Sequence, residues 1–121
     1  MTAELPMRRG SIVMVSFDPT VGSEAAKSRP AVIVSNNAAN RAASMSAAGL
    51  VTVVPLTSNT ARVFPFQVLI PADSSGLPQE SKAQAEQVRT ISTARIQRTV
   101  GWMPAELLGQ LDEALRIHLS L

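Results

Sequence analysis

Cysteine and tyrosine are absent from the 121-residue chain, and histidine occurs once. The missing thiols exclude disulfides, zinc–thiolate centres and cysteine nucleophiles. His118 alone cannot assemble a histidine-based metal site. Aromatic residues are limited to Phe17, Phe64, Phe66 and Trp102, so a core has to be built from Val, Ile, Leu, Met and Ala. No stretch approaches the ~20 apolar residues of a membrane-spanning helix. Arg8-Arg9 followed by Ile12–Phe17 is too short an apolar run for a secretory signal, and Asp18-Pro19 ends it without a small-residue cleavage site. A cytoplasmic protein with no membrane contact is expected.

Acid is also scarce, but only locally. Between Ala25 and Ala72 there is no Asp or Glu, against Lys27, Arg29, Arg41 and Arg62. From Gln87 to Ala105 the pattern repeats with Arg89, Arg95 and Arg98. The net charge is only +2, so the distribution says more than the sum. Two acid-free basic stretches suit an anionic partner. Nine of the eleven basic residues are Arg, whose planar fork matches phosphate oxygens in pairs.

A length of 121 residues is enough for one compact domain and not for two, and the 45% apolar content fits a globular protein. Residues 1–7 read as a flexible leader, with Met7 an alternative start, and 8–121 as a single domain. A domain this size buries one modest core, so a deep cleft calls for a second subunit. Ser11–Phe17 is β-branched, apolar and opened by Gly10, which predicts a strand. Asp18–Ser28 is a long polar loop. Ala31–Ser35 (AVIVS) is nearly continuous in apolar residues, the pattern of a strand covered on both faces. Asn36 or Asn37 is placed to cap a short helix running to Ser46.

Leu50–Leu56 predicts a central strand in which Pro55 marks an edge or bulge. Phe64–Ile70, Ser81–Thr90 and Arg95–Val100 follow as shorter strands, with a turn-rich loop over Pro71–Pro78. Pro104 opens a final helix whose apolar stripe is Leu107, Leu108, Leu111, Leu115 and Leu119, with His118 packed on the same stripe. The sum is a mainly β fold: five or six short strands in a small, strongly bent barrel, with one inserted and one C-terminal helix.

Five blocks in order make the pattern specific. They are Arg9-Gly10-Ser11-Ile12-Val13; Asp18-Pro19-Thr20-Val21-Gly22-Ser23-Glu24; Lys27-Ser28-Arg29-Pro30 with Ala31–Asn36; Val53-Val54-Pro55-Leu56-Thr57-Ser58; and Glu86-Gln87-Val88-Arg89-Thr90-Ile91, ahead of Arg95-Ile96 and Gly101. Together they resemble the MazF/PemK family of toxins over almost everything from Arg8 to Leu121. The resemblance implies an SH3-like barrel of the MazF/CcdB type, assembled as a homodimer. It implies an endoribonuclease acting on single-stranded RNA without metal or cofactor, through attack of the substrate's own 2′-hydroxyl. The ends left would be a 2′,3′-cyclic phosphate and a 5′-hydroxyl. The implied protein partner is a short, acidic, partly disordered antitoxin; no DNA contact is implied.

Because the attacking oxygen belongs to RNA, the protein has to align it, stabilise the charge growing on phosphorus and handle two protons. Arg29 is the candidate for charge stabilisation. Thr57 follows a central strand and matches the hydroxyl that would donate to the scissile phosphate, with Ser58 assisting or capping the turn. Glu24 matches the family's loop carboxylate, which would orient Arg29 or accept the 2′-hydroxyl proton. Glu86 departs from the Asp of many relatives, which leaves a role in the chemistry open. Gln87 is a candidate base or backbone contact, with packing the alternative. Two other functions fit the same fold: a gyrase poison, disfavoured because the chain ends Leu119-Ser120-Leu121 rather than in the Trp-Gly-Ile tail of such toxins, and an inactive barrel that only binds RNA or an acidic peptide.

Overall fold

The computed structural model describes residues 7–17 and 28–121. Its elements are β1 (Ser11–Ser16), β2 (Ser28–Ile33), α1 (Asn37–Ser44), β3 (Leu50–Thr57), β4 (Gln67–Ile70), α2 (Ala72–Ser75), β5 (Ser81–Gln84), β6 (Arg89–Ser92), β7 (Ile96–Trp102) and α3 (Ala105–Leu119). The strands pair antiparallel along the path β4-β5-β3-β2-β1-β7, with β6 joined to β3 off that path. No ladder joins β4 to β7 among the described residues, so the barrel-like sheet is not closed by hydrogen bonds.

The continuous apolar runs have a direct structural cause. Alternate residues of β1, β2 and β3 enter two different cores. Ile12, Val32, Val54 and Leu56 pack with Ala83, Met103, Leu111 and Ala114 on the α3 side. Val13, Val15, Ala31, Ile33, Val51 and Val53 pack with Ala43 of α1, Phe17 and Ile91 on the other. A sheet buried on both faces needs apolar side chains at successive positions rather than at every second one. The helix at Asn37–Ser44 starts as expected, with Asn36 as its cap: the side-chain oxygen accepts from the amide of Ala39 at 2.8 Å.

Two glycines are required by geometry. Gly10 enters β1 at φ 98°, and its carbonyl accepts from the amide of Met103 at 2.8 Å. Gly101 lies so close to the last residue of α2 that a Cβ there would sit 1.8 Å from the carbonyl oxygen of Ser75.

Several expectations shift. The stretch read as one strand, Ser81–Thr90, is two strands separated by a single 3₁₀ turn at Ala85–Gln87. β3 explains the break: it pairs with β6 through Leu50–Val53 and with β5 only at Leu56 and Thr57. Pro55, which has no amide hydrogen, lies in the gap between the two partners. β4 starts at Gln67 instead of Phe64, because the amide of Gln67 donates to the carbonyl of Phe64 at 2.8 Å and closes a turn. In α3 the packed stripe is Leu107, Leu108, Leu111, Ala114 and Leu115. His118 and Leu119 are exposed, contrary to the packing expected of them. Ile117 and Leu121 are exposed as well.

Candidate active site

Arg29 occupies the second position of β2, paired with Val15 of β1, and its side chain is exposed. Thr57 is the last residue of β3. The ladder between β2 and β3 matches Ala31 with Pro55, Val32 with Val54 and Ile33 with Val53. Continued two residues outward, the same register sets Arg29 opposite Thr57, although the ladder itself stops at Ala31. In an antiparallel pair, residues directly opposite project to the same face. Both side chains accordingly line one cavity of about 610 Å³, together with Ser58, Ser28, Gln79 and Ser81 on its polar side.

The hydroxyl of Thr57 accepts from the amide of Asn59 at 3.2 Å, which fixes the oxygen at the mouth of the turn. A hydroxyl that accepts in this way keeps its proton to donate. Ser28 accepts from the side-chain amide of Gln97 at 2.8 Å, tying the start of β2 to β7. Arg29 makes no ion pair among the described residues, and it lines the cavity.

A second cavity of about 300 Å³ opens on the other side of Arg29, lined also by Phe17, Pro55, Gln84, Gln87 and Arg89. The guanidinium of Arg89 lies 5.2 Å from the centroid of Phe17, a cation–π contact at the cavity wall. Neither cavity is lined by a described acid. The two acid-free stretches of sequence thus converge on one face, through Arg29 from the first and Arg89 from the second.

The structure brings together Arg29, Thr57 and Ser58, with Gln87 in the adjoining cavity. Glu24 lies outside the described residues. Glu86 lines neither cavity; its carboxylate accepts from the side-chain amide of Gln67 at 2.9 Å, and its other oxygen is buried with no partner among the described residues. Sequence reasoning missed the cleft-lining roles of Ser28, Gln79 and Ser81, which carry no signal beyond being small or polar. It marked Arg89 only as part of a basic stretch. Among the described residues no three His, Cys, Asp or Glu side chains gather to hold a metal ion, and no helix is long and apolar enough to cross a membrane.

A doubly covered, barrel-like β domain with arginine and hydroxyl groups at a cleft that no described acid lines defines a class of small anion-handling proteins. Comparison with known proteins narrows that class. Residues 8–119 match the model of the PemK-like, MazF-like toxins of type II toxin–antitoxin systems, and the chain belongs to that family. It is 55% identical over 115 residues to the endoribonuclease MazF9 of Mycobacterium tuberculosis, covering 95% of this chain and 98% of that one. It is 30% identical to the endoribonuclease EndoA of Bacillus subtilis, covering 95% and 96%. Among solved structures, a MazE–MazF assembly from Deinococcus radiodurans superposes with a TM-score of 0.75 at 28% identity, covering 94% of this chain and 96% of that one. A mycobacterial endoribonuclease solved in complex with its cognate antitoxin gives a TM-score of 0.72 at 25% identity, covering 94% and 95%.

Proposed function

We propose that the protein is a toxin endoribonuclease that cuts single-stranded RNA in the Arg29–Thr57 cleft by attack of the substrate's own 2′-hydroxyl. The observation that carries this reading is the meeting of Arg29 and Thr57, far apart in sequence, in one cavity that no described acid lines. As the 2′-oxygen attacks phosphorus and the 5′-oxygen departs, negative charge grows on the non-bridging oxygens. Arg29 offers a planar pair of donors to those oxygens, and Thr57 donates a third hydrogen bond from the opposite wall. We assign Arg29 an electrostatic contribution, through its fork of charged donors, rather than that of a general base. The acceptor for the 2′-hydroxyl proton is Glu24, from the loop between β1 and β2. Gln87 and Arg89, in the adjoining cavity, hold the neighbouring nucleotides. The products carry a 2′,3′-cyclic phosphate and a 5′-hydroxyl, and no metal ion or cofactor takes part.

The working unit is a homodimer in the cytoplasm, with the RNA groove drawing on both subunits. Inhibition comes from an acidic antitoxin laid over the same basic surface; the mycobacterial relative was solved in complex with its cognate antitoxin. Arg29→Ala should lower turnover by roughly a hundredfold or more, the usual effect of losing a central electrostatic donor. Arg29→Lys should recover little, because an ammonium lacks the fork. Replacing the single 2′-hydroxyl at the cut site by hydrogen should abolish cleavage while leaving binding. Continued cutting of that deoxy substrate would assign the attack to water or a side chain and defeat the mechanism.

A further inference from the structure

The loop leaving the cleft, between β3 and β4, carries two aromatic rings at the surface of a chain that has few. The rings of Phe64 and Phe66 are parallel, with centroids 5.3 Å apart and an interplanar angle of 1°. The guanidinium of Arg62 lies 5.4 Å from the Phe64 centroid, and the ammonium of Lys82 lies 6.0 Å from it. Phe64 nevertheless remains 38% exposed. A stacked pair of rings with cations lying over one of them, and that ring still partly open to water, is poor packing but a good receptor for a flat ring attached to a phosphate.

The loop is held by more than its length requires. Lys82, only 9% exposed, donates to the carbonyl of Arg62 at 2.6 Å. The side-chain oxygen of Gln67 accepts from the amide of Phe64 at 3.1 Å, and its nitrogen donates to Glu86 at 2.9 Å. Burying a lysine head and a half-satisfied carboxylate is costly. Spending those groups on a short surface loop makes sense where the position of its rings matters.

The platform is also close to the cleft. Lys82 pairs directly with Thr57 across β3 and β5. One strand spacing, about 5 Å, and one lysine side chain therefore separate Thr57 from the Phe64 ring, a gap bridged by a few nucleotides of extended RNA.

We propose that Phe64, backed by Phe66, is a base-stacking subsite for one unpaired nucleotide of the RNA, on one side of the cut, with Arg62 holding its phosphate. This rests on the RNA-cleaving function proposed above and adds the subsite to it. On binding, the base takes the place of the Arg62 guanidinium on the ring, and the guanidinium turns to the adjacent phosphate. Stacking on an aromatic side chain accepts any base and favours the larger purine rings.

The test uses a short single-stranded RNA, deoxy at the cut position, in which one adenine is replaced by fluorescent 2-aminopurine stepped along the strand. With the wild-type protein, 2-aminopurine should be strongly quenched at one position on one side of the cut. Phe64→Leu, which keeps an apolar side chain and removes the ring, should abolish that quench and weaken binding roughly tenfold. Phe64→Trp should restore both. On the all-ribose strand, Phe64→Leu should raise KM with kcat nearly unchanged, and an abasic nucleotide at the quenched position should cost the leucine variant nothing further. Unchanged binding and quenching in Phe64→Leu would overturn the subsite and leave the rings to a protein partner. Quenching that is spread evenly along the strand would overturn it too. Failure of the nuclease reading looks different: the wild type would leave the all-ribose strand uncut, while the binding arms would still report on Phe64.

Discussion

Replacing Arg9 separates two contacts that a single side chain makes to α3 and to the sheet. Its Nε donates to the carbonyl of Val34 at 2.9 Å, and its Nη2 meets Asp112 of α3 at 2.6 Å. The shorter distance invites the view that the ion pair dominates. Exposure argues the reverse. The side chains of Arg9 and Asp112 are 29% and 39% exposed, so the pair is solvated on both sides and worth about 0.2–1 kcal/mol. The bond to Val34 has a charged donor and a half-buried carbonyl, and such bonds contribute about 1.5–3 kcal/mol. Arg9→Ala loses both contacts and should cost about 2–3 kcal/mol; Asp112→Ala should cost about 0.5 kcal/mol. In a domain of this size the corresponding drops in Tm are about 10 °C and about 2 °C. Urea unfolding at fixed protein concentration, in low salt and in about 0.5 M NaCl where screening acts within about 4 Å, measures both. Salt should erase the Asp112 effect and leave most of the Arg9 effect. Equal losses in the two variants, or an Arg9 effect that vanishes in salt, would refute the reasoning.

Gly101→Ala forces a Cβ against the Ser75 carbonyl, where backbone faces backbone; we expect a loss near the upper end of overpacking costs, about 3 kcal/mol, read as a fall in urea midpoint. Glu86→Gln keeps an oxygen that can accept from Gln67, so turnover should stay within about threefold of wild type; a loss of roughly a hundredfold or more would give the carboxylate a part in proton transfer. Cleavage in excess EDTA should run at an undiminished rate, and a requirement for magnesium restored by adding it back would overturn the metal-free mechanism.

The sheet was legible where its residues answer to local rules, and illegible where they answer to a neighbour. Ala31–Ser35 declares a strand covered on both faces because every side chain in its centre enters one core or the other. Asn36 declares a helix start because its side chain bonds within the next turn. Ala85–Gln87 declares nothing: no glycine or proline marks the corner there. The bend is imposed by β3, which passes from one partner to another around Pro55. Phe64-Pro65-Phe66 carries the alternation of a strand and forms a turn, held by a hydrogen bond from Gln67. Helical spacing puts His118 on the apolar stripe but does not say how far along the helix the packing runs, and it stops at Leu115.

The cleft obeys the same division. Arg29 and Thr57 are named by the family resemblance, and nothing in the periodicity of β2 or β3 joins them. Their meeting depends on register, and register depends on Ala31, Val32 and Ile33 finding Pro55, Val54 and Val53. A slip of one residue would turn Arg29 to the opposite face and leave the cavity with no cation from β2. The two apolar cores therefore do more than stabilise the sheet, because each admits the side chains of only one face and so forbids that slip. Glu86, whose role the motif leaves open, has a structural contact of its own. Its position in the sequence block suggests chemistry, yet its bond to Gln67 supports the loop that carries Phe64, one strand spacing beyond Thr57. In a domain this small, a side chain that lines neither cavity still shapes the surface the RNA would cross, and the boundary between scaffold and site has to be drawn by contacts rather than by motif.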